Sequence, residues 1–445
     1  MDDAELLSMM TEWNFWGGKI DVGIERERYI NNVLRLLKAI NIVALSGIRR
    51  SGKSTIGLQA LKKLIDSGID INDTLVIRLD DERLLNLDYA TLLRIYDLYT
   101  THIKSSQEST TYVLLDEAQE VNGWERFVRG LADRGKAKFL VTGSSAKLLS
   151  SEYTTLLSGR HVEVRIFPLD FKEYLSFHSI KVDSKLEFAR NLERIKKLLE
   201  EYLSLGGLPQ ITLNKDLALE LLDSHFDTII VKDVVRRYRI RDENKIRTLA
   251  KYYISSVASR VTFNSVSKFL KIPVKTVERY SKYLENSYLI YFLRNFSFSV
   301  KAVENSPRKV HVVDNGFIKL FNPRLSRGHL LESLVFQHLY RYSLNKKDLE
   351  LYYWYDGNYE IDFLLKSPNN ILPIQVAYEI NDQETMKREL RAIDKFKEKV
   401  RPVDRTLLVT YHTVNESVGE NEVILLPAYS FLTRYEEVLG EIMDA

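Results

Sequence analysis

Between Val43 and Ala60 the chain reads VALSGIRRSGKSTIGLQA. An apolar run ends at Gly47, and Gly47–Ser54 is a full match to G-x-x-x-x-G-K-[ST]. This spacing permits few folds, because it works only between an incoming strand and an outgoing helix. The backbone must wrap closely round an anion, so a Cβ is unwelcome at Gly47 and Gly52. Consecutive N–H groups then form an anion nest, and the helix that begins near Lys53 adds its positive end. The expected binding set is Gly47, Ile48, Arg49, Arg50, Ser51, Gly52, Lys53, Ser54 and Thr55. Lys53 reaches the β- and γ-phosphates, and the Ser54 hydroxyl ligates Mg²⁺. The context agrees: NIVALS precedes the loop as a buried strand, and STIGLQALKKLI follows with apolar residues at helical spacing.

A second motif, TYVLLDEAQEV, is an apolar strand over Tyr112–Leu115 that ends in Asp116 and Glu117. Asp116 suits Mg²⁺ held through water opposite Ser54. Glu117 is placed to polarise a water for attack on the γ-phosphate. A third strand, in KFLVTGSSAKL, leads to Thr142, Ser144 and Ser145. One of these contacts the γ-phosphate or the lytic water, although an ordinary Ser-rich turn accounts equally well for any one of them. With strands near Leu75–Leu79 and Val162–Ile166, five strands alternate with helical stretches. The expectation is a parallel sheet covered by helices, with nucleotide at the carboxyl ends of the strands. Arg160, before the last strand, is a candidate arginine finger for a neighbouring subunit's site, with a surface or capping arginine as the alternative. Arg49 and Arg50 lie inside the loop, but the motif does not require their side chains.

Length and composition bound the rest. At 445 residues the chain exceeds a single core, and 45% hydrophobic with 28% charged residues describes a folded protein. A formal charge of +3 means that nucleic-acid binding would need a local basic surface. The absence of cysteine excludes disulfides and thiolate zinc sites. With no signal-peptide pattern and no long apolar segment, the expected location is cytoplasmic.

The segments SGIRRSGKST, LLDEAQEVNGWE, LVTGSSAKLL, LSGRHVEVRIFPLDFKEYL and YLSLGGLPQ follow one another in the order of a known group. In them the chain resembles AAA+-like ATPases of archaea and bacteria that carry a C-terminal domain of largely unknown function. The resemblance implies sheet order 5-1-4-3-2, a helical lid, frequent oligomerisation, and ATP with Mg²⁺ as ligands. It gives Lys53, Ser54, Asp116 and Glu117 the roles derived above.

Four segments are expected: an ATPase core over 1–176, a helical lid over 177–243, a winged helix over 244–305 and a nuclease-like domain over 306–445. In the third, Val266, Phe269 and Leu270 face inward on one helix and Val277, Tyr280 and Leu284 on the next. Lys275, Arg279 and Lys282 then share the exposed face of a candidate DNA-recognition helix, a solvated face or a protein contact being the alternatives. YLIYFLRNFSFS is read as both strands of a wing. The last segment, with Glu332 on a helix and Asp362 on a hairpin, resembles the PD-(D/E)xK nuclease core. Where that core needs a further acid and a lysine, the chain has Gln375 and Ala377, which argues for a degenerate scaffold. The fold class is therefore α/β. The function expected is ATP hydrolysis coupled to DNA binding or remodelling, with an ATP-dependent nuclease or a regulatory ATP sensor as alternatives. No guanine-reading N-K-x-D motif supports a GTPase.

Overall fold

The runs of apolar residues in the first third of the chain become five strands: β1 (Ile42–Ser46), β2 (Thr74–Arg78), β3 (Thr111–Asp116), β4 (Ala137–Gly143) and β5 (His161–Arg165). The computed structural model describes residues 2–84, 88–144, 159–380, 383–412, 417–418 and 423–443. All pairings in this sheet are parallel and the order is β2-β3-β4-β1-β5, the expected 5-1-4-3-2. Every residue of β1 is buried, as a central parallel strand covered on both faces requires. Around the sheet stand α1 (Asp3–Trp13), α2 (Glu27–Ala39), α3 (Lys53–Asp66), α4 (Tyr89–His102) and α5 (Trp124–Asp133). Their apolar faces join the strands in one core that includes Leu45, Ile56, Leu92, Leu114 and Phe127.

Register decides what this sheet presents. Ser46 of β1 lies beside Gly143 of β4 and Arg165 of β5, and Arg78 of β2 beside Asp116 of β3. One edge therefore gathers the loop after β1, the acidic end of β3 and the polar end of β4. At the other edge Ile42 lies beside His161, so Arg160 stands at the amino ends of the strands.

The chain divides into two compact units, Met1–Ile166 and Phe167–Ala445. The helix Phe171–Phe177 lies in the second of these units. Helices Lys185–Leu205, Ala218–Thr228 and Glu243–Ser255 follow, with a π-helical stretch at Ile229–Arg236. Ser184 and Glu187 cap the longest of them reciprocally. Asp314 accepts hydrogen bonds from the backbone N–H of Gly207 (2.6 Å) and Gly316 (2.9 Å), which fastens the GGLP turn. Burial pushes its carboxyl up to about 6.

Next come β6 (Arg260–Val261), helices Phe263–Leu270 and Val274–Asn286, then β7 (Ile290–Leu293) and β8 (Arg308–Val312). The strands form an antiparallel sheet in the order β6-β8-β7. Two expectations need correction here. The partner of β7 is β8, beyond the helix Val300–Asn305, and not the FSFS stretch. Phe269 is 68% exposed and rests beside Tyr252, because the short helix turns only Val266 fully inward.

A mixed sheet completes the second unit: β9 (Glu350–Tyr355), β10 (Glu360–Lys366), β11 (Ile371–Glu379), β12 (Thr406–His412), β13 (Ser417–Val418) and β14 (Val423–Pro427). Its order is β13-β14-β12-β11-β10-β9. The hairpin expected at Asp356-Gly357 joins β9 to β10, and helix Arg327–Leu344 carries Glu332. The chain after β7 pairs directly with β9: Phe296 N–H donates to Tyr353 O (2.7 Å) and Tyr353 N–H to Arg294 O (3.0 Å). Phe296 then enters one core with Trp354, Ile361 and Phe396. Among the described residues no helix is long and apolar enough to cross a membrane.

Candidate nucleotide-binding site

The loop between β1 and α3 has the geometry its sequence calls for. Gly47 has φ +143°, and a Cβ there would fall 2.1 Å from the carbonyl oxygen of Ile166. Gly52 is left-handed at φ 94° and caps α3 directly before Lys53. Arg50 also takes a positive φ, 68°. Lys53 is 4% exposed and donates to the Ile48 carbonyl at 3.0 Å, so its ammonium bends over the loop. Thr55 is exposed on the first turn of α3.

Opposite the loop stand the acids. Ser54 Oγ donates to Asp116 Oδ1 at 2.7 Å, and Thr142 Oγ1 donates to the same oxygen at 2.5 Å. Thr142 Oγ1 in turn accepts the Glu117 N–H at 2.9 Å. The backbone of Glu117 is left-handed, φ 53° and ψ 49°, an uncommon state for a side chain of this kind. Burial pushes the Asp116 carboxyl up, while the hydrogen bonds from Thr142 and Ser54 pull the other way. A hydroxyl and a carboxylate this close are hard oxygen donors, the set a Mg²⁺ ion takes. Gln119 Nε2 donates to Glu117 Oε2, and Arg49 reaches both Glu117 (Nη1 to Oε1, 3.9 Å) and Ser144 (Nη2 to Oγ, 3.4 Å).

Lys53, Ser54, Asp116, Glu117 and Thr142 thus meet at one edge of the sheet. Arg160 does not. It pairs with Asp133 at 3.0 Å beside the start of β5. Four strand steps of about 3.3 Å, about 13 Å in all, separate that end from the loop. Ser145 lies outside the described residues. Arg26 was not legible in the sequence. It is buried, comes from the segment before α2, and donates through Nη1 to the Ser51 carbonyl at 2.8 Å. Gln59 of α3 fastens that segment by donating to the carbonyls of Val22 and Ile24, both at 2.8 Å. The only signal was a polar glutamine on an otherwise apolar face of α3.

In the second unit, Lys275, Arg279 and Lys282 all lie on the exposed face of helix Val274–Asn286, while Val277, Tyr280 and Leu284 are buried. Lys282 has Glu285 as an ion-pair partner at 3.5 Å. Around Glu332 and Asp362 the arrangement is one that sequence reading missed. Lys309 of β8 is 1% exposed, and its Nζ lies 2.6 Å from Glu332, 2.6 Å from Glu360 and 3.1 Å from Asp362. Burial pulls its basicity down, but the three carboxylates outweigh this and hold it above the ordinary lysine value. Glu360 is shared with Arg260, whose Nε lies 3.1 Å from its second oxygen, and burial pushes the Glu332 carboxyl up to about 8. Asp362 also accepts the Val376 N–H at 2.9 Å, and Ala377 is a buried apolar neighbour. An ammonium group therefore stands among the acids. Among the described residues no three carboxylate or imidazole groups are arranged to hold a metal ion.

Comparison with known proteins gives three family matches along the chain: an AAA domain over residues 39–175, a domain of unknown function (DUF8612) over 196–323 and another (DUF4143) over 327–430. An uncharacterized protein of Methanocaldococcus jannaschii is 34% identical over 361 residues, which is 80% of this chain and 78% of that protein. An uncharacterized protein of Haemophilus influenzae is 31% identical over 377 residues, covering 81% of this chain and 89% of its own. Among solved structures, the Walker-type ATPase PABY2304 of Pyrococcus abyssi matches with TM-score 0.44 and 16% identity, over 67% of this chain and 95% of its own.

Proposed function

The chain belongs to the family of these archaeal and bacterial relatives, an AAA domain followed by two domains of unknown function, and on that premise we propose that it hydrolyses ATP and couples the cycle to DNA. The observation that carries the first half is the cluster of Ser54, Asp116 and Thr142 facing the Gly47–Gly52 loop. The main-chain amides of that loop and the Lys53 ammonium bind the phosphates. Ser54 and Asp116 hold Mg²⁺, which when bound offsets charge on the phosphate oxygens. Glu117 takes a proton from water as the water oxygen bonds to the γ-phosphorus. The bond from phosphorus to the bridging oxygen breaks, and ADP leaves with that electron pair.

Arg160 is too far from its own loop to take part, so its proposed role is toward a second copy of the chain. Glu117→Gln should bind ATP without turning it over and shift the full chain to a larger assembly when sized with Mg²⁺ and ATP. Arg160→Ala is expected to lower turnover by about 10³-fold, the lower bound for an arginine finger, and to leave ATP affinity unchanged. Equal turnover in Arg160→Ala and the parent chain would remove the role in trans.

The second half rests on the segment Glu243–Val312. Its helix, short strand, two helices and two strands, paired β6-β8-β7, support a winged-helix reading. Its second helix would present Lys275, Arg279 and Lys282 to the phosphates of a duplex. Replacing all three by Glu should abolish measurable duplex binding, and Ala at all three should flatten the slope of log affinity against log salt by about 3. Duplex affinity that is indifferent to either set would sink this reading. Lys309 weighs against the nuclease alternative, because it brings a fixed positive charge to where that chemistry would need a metal.

A further inference from the structure

The motif does not use the Arg49 side chain, yet the structure engages it at the site with Glu117 and Ser144. Its guanidinium lies 3.9 Å from Glu117 Oε1 and donates to Ser144 at 3.4 Å. The two charged side chains are only 15% and 10% exposed, so their attraction is weakly screened. Gln119 holds the second carboxylate oxygen. Glu117, the group needed to accept a proton from water, is thus engaged at both oxygens by residues of its own chain. A guanidinium suits a carboxylate and a phosphate equally well in shape, but a terminal phosphate carries more charge than a carboxylate. Arg49 belongs to the phosphate-binding loop itself and can reach such a group by rotating its side chain.

We propose that Arg49 changes partner, holding Glu117 while the terminal-phosphate position is empty and turning to the γ-phosphate when ATP binds. This inference rests on the nucleotide-binding reading above. It assigns to one side chain both the discrimination of ATP from ADP and the release of Glu117 for proton transfer. ADP, which lacks the γ-phosphate, leaves the Arg49–Glu117 pair intact, so the diphosphate-bound protein keeps its general base restrained. Arg49 is a positioning residue toward Glu117 and a ligand toward the substrate.

Calorimetric titration of the full chain with ATP and with ADP, in Mg²⁺ buffer, tests this without reference to turnover. Arg49→Ala should weaken ATP by about 10- to 100-fold, the span of one charge-assisted hydrogen bond, and leave ADP within about twofold. Arg49→Lys should recover part of the ATP affinity, because it keeps the charge and loses the fork. Glu117→Gln should tighten ATP several-fold by weakening the competing pair, and this gain should vanish in the Arg49→Ala/Glu117→Gln double variant. Equal losses for ATP and ADP in Arg49→Ala, or no loss for either, would overturn this inference alone and leave the nucleotide-binding reading standing. A parent chain with no affinity for either nucleotide would overturn both.

Discussion

Lys53→Ala is expected to lower ATP affinity by about 100-fold and to bring any turnover down by about 10²–10³-fold. The ammonium is buried and already aimed across the loop, so a phosphate meets it without reorganisation. A preorganised charge of this kind is worth far more than a mobile surface lysine, and loss of one such donor costs about 10²–10³ in rate. The substitution removes the hydrogen bond to the Ile48 carbonyl and leaves Gly47, Gly52 and Arg26 to shape the loop. Circular dichroism and thermal unfolding should therefore match the parent chain closely. Unchanged ATP affinity by calorimetry, in a variant that folds normally, would dismantle the nucleotide-binding reading.

The second large effect concerns stability. Lys309→Met should destabilise the second unit by about 3–5 kcal/mol, the usual cost when a buried ion cluster loses its counter-charge. Glu332 and Asp362 would then lose the ammonium they share, and Glu360 would keep only Arg260. Adding Glu332→Gln and Asp362→Asn to Lys309→Met should recover most of the loss, because neutral partners need no ammonium and Glu360 keeps its pair with Arg260. Urea unfolding followed through Trp354, the sole tryptophan after Phe167, reads this directly. Lys309→Met alone unfolding at the same urea concentration as the parent would refute the argument.

The same cluster fixes the sign of a pH effect. The Glu332 carboxyl ordinarily titrates near 4.5, and burial pushes it up to about 8 in the folded chain. Between those values the folded state holds the proton more tightly than the unfolded one, so this group's contribution to stability falls as pH rises. Lys309→Met removes the positive charge that opposes the shift, so in the variant this loss of stability should continue to higher pH than in the parent.

Much of this was legible in the chain, for physical reasons. Phosphate binding demands small residues and amides in a fixed order, so Gly47–Ser54 announced its strand, loop and helix together. A central parallel strand is apolar at every position, which exposed β1 and β3 and placed Asp116 and Glu117 at a carboxyl end. The alternation of buried and exposed residues in Val274–Asn286 put Lys275, Arg279 and Lys282 on one face. Arg26 and Lys309 escaped because each acts through partners far off in sequence: Arg26 lies 25 residues from Ser51, and Lys309 lies 53 from Asp362. A lysine inside the run KVHVV reads locally as an edge residue, and only the fold turns it inward. The FSFS stretch has strand-like alternation, yet its backbone continues past β7 toward β9, and β8 takes the place beside β7.

The pairing of the Arg294–Phe296 segment with Tyr353 bears on any attempt to dissect the molecule. A cut near residue 305 or 325, where composition and domain matches invite one, would separate β7 from the strand it borders and strip Phe296 from the cluster holding Trp354 and Phe396. It would also part β8, with its lysine, from one sheet or the other. The smallest piece to be produced on its own from this half is therefore the whole of Phe167–Ala445, and proteases offered the native chain should leave that half undivided across the 294–353 span.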